Sequence, residues 1–121
     1  MKLLKLFELI RPKQWIKNLF VFAPILFAGQ LLNLPLLMQN MLAFIAFCGV
    51  SSSVYVLNDI IDVESDRAQR KKRYRPIAAG DVSIAQAKIL FVFLLVFTAL
   101  VCFKLNYLFT LTIVFYFINN L

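Results

Sequence analysis

Residues 41–66 read MLAFIAFCGVSSSVYVLNDIIDVESD and join a long apolar run to a group of acidic side chains. The run from Met41 through Leu57 has the length and composition of a helix that crosses a bilayer, which needs about 20 apolar residues. It continues into the polar sequence NDIIDVESD (58–66) without a proline that would end a helix. This stretch predicts a transmembrane helix that carries carboxylates to one membrane surface.

The composition of the whole chain indicates a membrane protein. Of its 121 residues, 62% are hydrophobic and 13 are phenylalanine, whereas soluble domains contain about 45–50% apolar residues. Disordered chains, which are poor in aromatic residues, are excluded as well. We expect an all-α fold, a multi-pass transmembrane helix bundle that forms a single membrane domain over residues 1–121.

Four spans are predicted along the chain. Residues 2–10 have the pattern of a short amphipathic helix at the interface. The first span is expected from Pro12 to about Leu32, and the second is the run from Met41 described above. An S-x-x-Q capping box at Ser83–Gln86 opens a third span, which extends to about Phe103. After a tight turn at 104–106, a fourth span begins at Tyr107 and runs to Ile118.

The distribution of charge predicts the orientation. The chain carries 13 Lys+Arg against 6 Asp+Glu, a formal net charge of +7. Because the chain is so apolar, this charge indicates anionic membrane lipids as the partner and no nucleic acid. Basic residues gather at the N-terminus and in the loop after the second span, whereas the opposite loops carry only Lys104. By the positive-inside rule, the N-terminus and the loop 58–83 are cytoplasmic. We expect an integral protein of a bacterial inner (cell) membrane.

Residue types that are scarce exclude several kinds of chemistry. The sequence has two cysteines and no histidine, which removes most Ser/His, Cys/His and zinc mechanisms. Cys48 and Cys102 both lie in apolar stretches without a CxxC pair, and we interpret them as buried and reduced. Catalysis would have to depend on carboxylates, cationic groups and a hard metal ion.

The acidic segment has the spacing of a site. On an ideal helix Asp59, Asp62 and Asp66 lie within about an 80° arc, and Tyr55 and Ser52 continue that stripe. Carboxylates on one face repel one another unless a cation intervenes. Six Lys or Arg residues follow within 67–75. Mg²⁺ bound by carboxylates, with phosphate charge bound by nearby Lys and Arg, would suit an organic diphosphate at the cytoplasmic surface.

The same residues have simpler interpretations. Acids at a helix end followed by basic residues can form a solvated terminus and a positive-inside anchor. Gln14, Lys17 and Asn18 share one face of an α-helix, which can be an interfacial anchor beside Trp15. The loop through Arg73, Pro76 and Gly80 can lie against anionic lipid headgroups. The residues alone leave both interpretations open.

Three ordered motifs carry a resemblance to a known family. The sequence NDIIDVESD at 58–66 resembles the NDxxDxxxD signature of the UbiA-type prenyltransferase superfamily at all four defining positions. The sequences RPKQWIKN (11–18) and KRYRPIAAG (72–80) are most similar to the decaprenyl-phosphate phosphoribosyltransferase-like branch. The resemblance implies eight or nine helices around a cavity and a second aspartate-rich motif. We therefore expect these 121 residues to be the N-terminal portion of the bundle, catalytically silent without its C-terminal half.

The resemblance also implies roles for residues. Asp59, Asp62 and Asp66 would be catalytic and would hold Mg²⁺, and a further set would bind the diphosphate donor: Lys17, Asn18, Asn58, Arg67, Lys72, Arg73 and Arg75. Pro76 and Gly80 would shape a lid. The implied reaction is metal-assisted loss of diphosphate with phosphoribosyl transfer to a polyprenyl phosphate. Two alternatives are prenyl transfer from a polyprenyl diphosphate to an aromatic or small acceptor, and a non-catalytic membrane module or transport subunit.

Overall fold

The computed structural model describes residues 2–105 and 107–120, and the regular structure of this part is helical throughout. In chain order the elements are α1 (Lys2–Leu9), a 3-10 helix (Pro12–Phe22), α2 (Ala23–Phe27), α3 (Leu34–Ile61), α4 (Val63–Ala68), α5 (Ile84–Cys102) and α6 (Tyr107–Asn119). The all-α prediction is confirmed. The short helix predicted over 2–10 corresponds to α1.

Helix α3 is the longest element and begins earlier than the sequence predicted. Asn33 caps it, since its side chain accepts a hydrogen bond from the Leu36 N–H at 3.4 Å, and Pro35 occupies the first turn, where proline is well tolerated. The sequence predicted the second span only from Met41, leaving 33–40 between the spans, and this boundary is wrong because 34–40 belong to α3. The 28 residues of α3 extend about 42 Å, more than the roughly 30 Å of a hydrocarbon core.

The predicted first span has a different form from a single α-helix. Its residues form the 3-10 helix and then α2, which ends at Phe27, and Gly29 follows with φ +66°. A 3-10 helix rises about 2.0 Å per residue, so these 16 residues still extend about 30 Å. The segment therefore has the reach of a membrane span without the regular α-helical geometry.

Helices α5 and α6 follow the sequence prediction closely. The capping box is present: the Ser83 hydroxyl accepts from the Gln86 N–H, and the Gln86 side chain accepts from the Ser83 N–H, both at 3.1 Å. Of the predicted tight turn, Lys104 and Leu105 form turn hydrogen bonds, and Asn106 lies outside the described residues. Within the described part, α3 and α5 are long and apolar enough to cross a membrane, and Leu108–Asn119 is a shorter apolar helix.

Two apolar clusters hold the helices together. At the acidic end of α3, Val56 packs with Leu9 of α1, with Ile77 and Val82 of the following loop, and with Leu94 of α5. Nearer the other end of α3, the second cluster is formed by Ala46, Phe47, Val50, Cys102 and Ile113. Both cysteines are buried and free, as predicted. The first cluster fixes α1 and the 69–83 loop over the end of α3, which is where the acidic side chains lie.

Candidate functional site

The acidic segment is an almost continuous helix with one interruption. Asp62 lies between α3 and α4 with φ −91° and ψ 10°, so the single helix predicted over 52–66 is broken at that residue. Helical hydrogen bonds continue through the break, from the Asp62 N–H to the Asn58 carbonyl at 2.9 Å and from the Asp66 N–H to the Asp62 carbonyl at 2.7 Å. Asp59 and Asp66 are thereby brought together, one turn on each side of the break.

Asp59 and Asp66 are buried and share one cation. Each is only 2% exposed. Nη1 of Arg75 lies 3.4 Å from Oδ1 of Asp59 and 3.2 Å from Oδ2 of Asp66, and it donates to both carboxylates. Buried carboxylates need such pairing, because removing an unpaired charge from water is costly. The pair and its guanidinium form the centre of the site.

Arg11 adds a second cation that the sequence analysis did not place in the site. Its Nη2 donates to Oδ1 of Asp59 at 2.7 Å, and its guanidinium carbon lies 4.6 Å from the centroid of the Tyr55 ring. The clue in the sequence is the position of Arg11 at the head of the RPKQWIKN motif, but its partner lies 48 residues further along the chain. Spacing patterns cannot reveal a pair so distant in sequence.

The position of Arg75 depends on the loop that follows it. Pro76, Ile77 and Ala78 are buried, and the Val82 N–H donates to the Pro76 carbonyl at 3.1 Å. Arg67 donates from Nε to the Ala78 carbonyl at 3.0 Å, which ties α4 to the same loop. The loop is thus packed onto the helix ends and holds Arg75 over the two aspartates. The resemblance implies that Pro76 and Gly80 shape a lid, which stays a prediction; in the structure the loop is anchored beside the acids.

About two turns deeper, α3 presents serines to the 3-10 helix. Trp15 donates its indole N–H to the Ser52 hydroxyl at 2.8 Å, and Ser52 donates to the Ile10 carbonyl at 2.7 Å. Asn18 is buried and donates to the Ser51 hydroxyl at 3.2 Å. The predicted common face of Lys17 and Asn18 is wrong: in a 3-10 helix residues three apart align, so Asn18 faces α3 with Trp15 and Lys17 is exposed.

The remaining predicted residues differ in their exposure. Asp62 is exposed, whereas Asn58 and Lys72 are half-buried. Arg67 and Arg73 are exposed, and the Arg73 guanidinium carbon lies 5.4 Å from the centroid of the neighbouring Tyr74 ring. The structure therefore brings Asp59, Asp66 and Arg75 together and leaves Asp62 and Arg73 at the surface.

Asp59 and Asp66 are the side chains of this centre that could hold a small hard cation such as Mg²⁺. Among residues 2–105 and 107–120, no three metal-ligating side chains converge. However, Mg²⁺ commonly takes one or two carboxylates and completes its shell with water and substrate phosphates. Asp59 and Asp66 are two such carboxylates, and both already face one cationic nitrogen, Nη1 of Arg75. The donor set is oxygen only, as Mg²⁺ requires.

An apolar cavity of about 290 Å³ lies beside α3 on the membrane side of the acids. Its walls include Trp15, Cys48, Ser52, Phe93 and Phe97. Ser52 is seven residues before Asp59, which is about 10 Å along a helix axis. An apolar chain in this cavity would have its polar end close to the charged centre.

Comparisons with known proteins place these features in context. Residues 18–119 match the UbiA prenyltransferase family. A decaprenyl-phosphate phosphoribosyltransferase from Corynebacterium glutamicum is 44% identical over 80 residues, which cover 64% of this chain and 24% of that protein. The protein of the same name from Mycolicibacterium smegmatis is 46% identical over 81 residues, covering 64% and 26%. The nodulation protein NoeC from Azorhizobium caulinodans is 44% identical over 79 residues, covering 63% and 24%. The chain thus spans about a quarter of the length of these relatives.

Proposed function

We propose that this chain, which belongs to the UbiA prenyltransferase family, binds the diphosphate donor of a membrane-bound transferase at Asp59, Asp66 and Arg75. The reaction we propose is transfer of a phosphoribosyl group from its diphosphate to a polyprenyl phosphate. Two of the relatives carry the name decaprenyl-phosphate phosphoribosyltransferase, which favours this reaction over prenyl transfer to an aromatic acceptor.

One observation carries the proposal: two buried carboxylates share a guanidinium at the polar end of a long apolar helix. Asp59 and Asp66 are each 2% exposed and lie within 3.4 Å of Arg75. A surface anchor would need only exposed charges, whereas these two carboxylates are buried and paired. A solvated helix end therefore does not account for this arrangement.

Different residues of the chain would bind the metal ion and the phosphate groups. Mg²⁺ would be held by Asp59 and Asp66, with Asp62 at the rim, and when bound it would neutralise the leaving diphosphate as a Lewis acid. Arg75 would bind phosphate oxygens from inside the site. An outer set would bind the remaining phosphate charge and the sugar phosphate: Lys17, Asn58, Arg67, Lys72 and Arg73. Asn18 would support the site from within the packing of α3.

The acceptor would come from the membrane. The cavity beside Trp15 and Phe97 is apolar and about 290 Å³, large enough for the first part of an isoprenoid chain. The phosphate of such a lipid is already anionic, so its oxygen needs little help from a general base when it attacks the sugar carbon. This agrees with a sequence that contains no histidine.

We place the site at the cytoplasmic face of a bacterial inner membrane. The segment after α3 is basic, and so is the segment before the 3-10 helix; the former contains Arg67, Arg70, Lys71, Lys72, Arg73 and Arg75. The positive-inside rule supports a cytoplasmic position for both. A soluble diphosphate donor would then reach the site from the cytoplasm.

The experiment that tests this function compares two labelled donors. The protein, produced from its complete gene and reconstituted in bilayers, is incubated with labelled phosphoribosyl diphosphate and polyprenyl phosphate, or with labelled polyprenyl diphosphate and an aromatic acceptor. We expect a Mg²⁺-dependent lipid product in the first mixture and none after chelation. Product in the second mixture alone would replace the proposed reaction by prenyl transfer. Ion flux through the bilayer without either product would indicate a transport subunit instead.

A further inference from the structure

Arg11 is held in a strained conformation beside Asp59. Its φ and ψ are 52° and 65°, the left-handed region that non-glycine residues rarely adopt. It also directly precedes Pro12, and a residue before proline normally prefers extended backbone. Such strain persists only where the surrounding structure fixes it, and it is typical of functional positions.

The backbone on both sides of Arg11 is fixed by its neighbours. The Ile10 carbonyl accepts the Ser52 hydroxyl at 2.7 Å, and the Arg11 carbonyl accepts the Gln14 N–H at 3.0 Å. Leu9 is only 1% exposed in the apolar cluster beneath. In this backbone conformation the Arg11 guanidinium lies against Asp59 and over the Tyr55 ring.

The charges of the centre balance as the structure stands. Two carboxylates, Asp59 and Asp66, face two guanidinium groups, Arg11 and Arg75. A divalent cation bound to the carboxylates would compete with these guanidinium groups and leave two positive charges without partners in a largely buried place. A diphosphate brings the negative charge that would then compensate them, through strong charge-assisted hydrogen bonds.

We propose that Arg11 is a further donor-binding residue, which neutralises Asp59 while no metal is bound and pairs with a phosphate oxygen once a divalent cation occupies Asp59. This inference rests on the proposed function, because it assumes a metal and a diphosphate at the same centre. It makes Arg11 a competitor of the metal and a ligand of the diphosphate. The two roles predict opposite changes when its charge is removed.

The test compares Arg11→Gln with Lys13→Gln in the chain reconstituted in lipid nanodiscs. Lys13 is an exposed cation two residues away and serves as the matched loss of charge. Binding of Mn²⁺ alone is measured from the resonance signal of the free ion, and binding of labelled inorganic diphosphate is measured by equilibrium dialysis in saturating Mg²⁺. For Arg11→Gln we expect Mn²⁺ affinity higher than that of the wild type and diphosphate affinity at least about tenfold lower. Lys13→Gln should change neither by more than about twofold.

Each other outcome has a definite meaning. Unchanged or weaker Mn²⁺ binding by Arg11→Gln, or unchanged diphosphate binding, would overturn the role of Arg11. If Lys13→Gln loses as much diphosphate affinity as Arg11→Gln, the effect is general attraction and the specific role is also overturned. If the wild type binds neither Mn²⁺ nor diphosphate, the proposed function itself fails.

The single tryptophan gives a check on folding. Trp15 is hydrogen-bonded to Ser52, which also fixes Ile10, so its emission reports the packing next to Arg11. If Arg11→Gln shows the emission of the denatured chain, Arg11→Lys is used in its place. The control for Arg11→Lys is Lys13→Arg. An ammonium lacks the planar fork of guanidinium, so we expect diphosphate affinity at least about threefold below that of the control. Equal affinities would overturn the inference.

Discussion

Gly49 of α3 lies so close to Thr98 of α5 that a methyl group added to the glycine would collide with the threonine hydroxyl oxygen. Both residues are buried, and Thr98 donates that hydroxyl to the Leu94 carbonyl at 2.8 Å. Small residues of this kind let membrane helices approach closely, because van der Waals packing drives their association. The contact sets the distance between α3 and α5, both of which are long enough to cross a membrane.

Gly49→Ala should therefore destabilise the helix pair. Inserting a methyl group into a packed interface typically costs about 1–3 kcal/mol, and we expect a loss in the free energy of unfolding within that range. The measurement is unfolding in mixed micelles by increasing fractions of sodium dodecyl sulfate, followed by circular dichroism. If Gly49→Ala has the same free energy of unfolding as the wild type, the two helices can move apart here without loss of stability.

A second substitution tests the cause. Thr98→Ala removes the oxygen that the new methyl would meet, so Gly49→Ala with Thr98→Ala should recover most of the lost stability. Thr98→Ala alone loses a hydrogen bond within its own helix, which is worth about 1 kcal/mol, and a buried methyl group, so it is measured separately. A double variant no more stable than Gly49→Ala would exclude the Thr98 collision as the cause.

Asp59→Asn should impair metal use far more than the matched change of an exposed acid. The substitution keeps the shape and an acceptor oxygen but removes one anionic ligand, and we expect the Mg²⁺ requirement for half-maximal transfer to rise by about 10–100-fold. Glu64→Gln is the control, because that side chain is 86% exposed and pairs only with Arg67 at 3.4 Å among the contacts described. Near-normal turnover of Asp59→Asn at limiting Mg²⁺ would contradict the metal site.

Asp66 and Asp62 should differ in their effects on stability without any metal. Asp66 is buried and accepts from Arg75 at 3.2 and 3.4 Å, so Asp66→Asn should lower the free energy of unfolding by about 1–3 kcal/mol. Asp62 is exposed at the break between α3 and α4, and Asp62→Asn should change stability by less than about 0.5 kcal/mol. Unfolding in micelles with a chelator present measures both, and equal effects would contradict the different environments.

Local signals in the sequence predicted much of the helical fold. The capping box at Ser83–Gln86 and the apolar run after it gave α5, because both depend on residues within one turn of each other. The start of α3 was missed, since the polar residues before Met41 resemble a loop, although Asn33 and Pro35 are themselves helix-start signals. The 3-10 geometry of Pro12–Phe22 has no simple signature in the sequence.

Residue spacing alone predicted only the part of the site that one helix contains, whereas Arg75 was predicted from the family resemblance. Spacing placed Asp59 and Asp66 on one face, and the structure brings them together through Arg75. The same spacing could not show that the helix is interrupted at Asp62, since a single ψ near 10° leaves the hydrogen-bond pattern almost intact. It also could not find Arg11, because that contact depends on how α1 folds back over α3.

The two faces of the membrane can be distinguished with a matched pair of glutamines. Gln69 follows α4 in the basic loop, and Gln30 lies in the uncharged loop before α3; both are exposed. Because Lys and Arg are retained on the cytoplasmic side, Gln69→Cys should resist an impermeant thiol reagent in intact cells and react after lysis, whereas Gln30→Cys should react without lysis. The native Cys48 and Cys102 are buried, so the unsubstituted chain should give little labelling and serves as the blank. The labelled fraction is measured with a mass-tagged reagent and a gel shift. Labelling of Gln69→Cys before lysis would show the opposite orientation, with the donor site at the outer face.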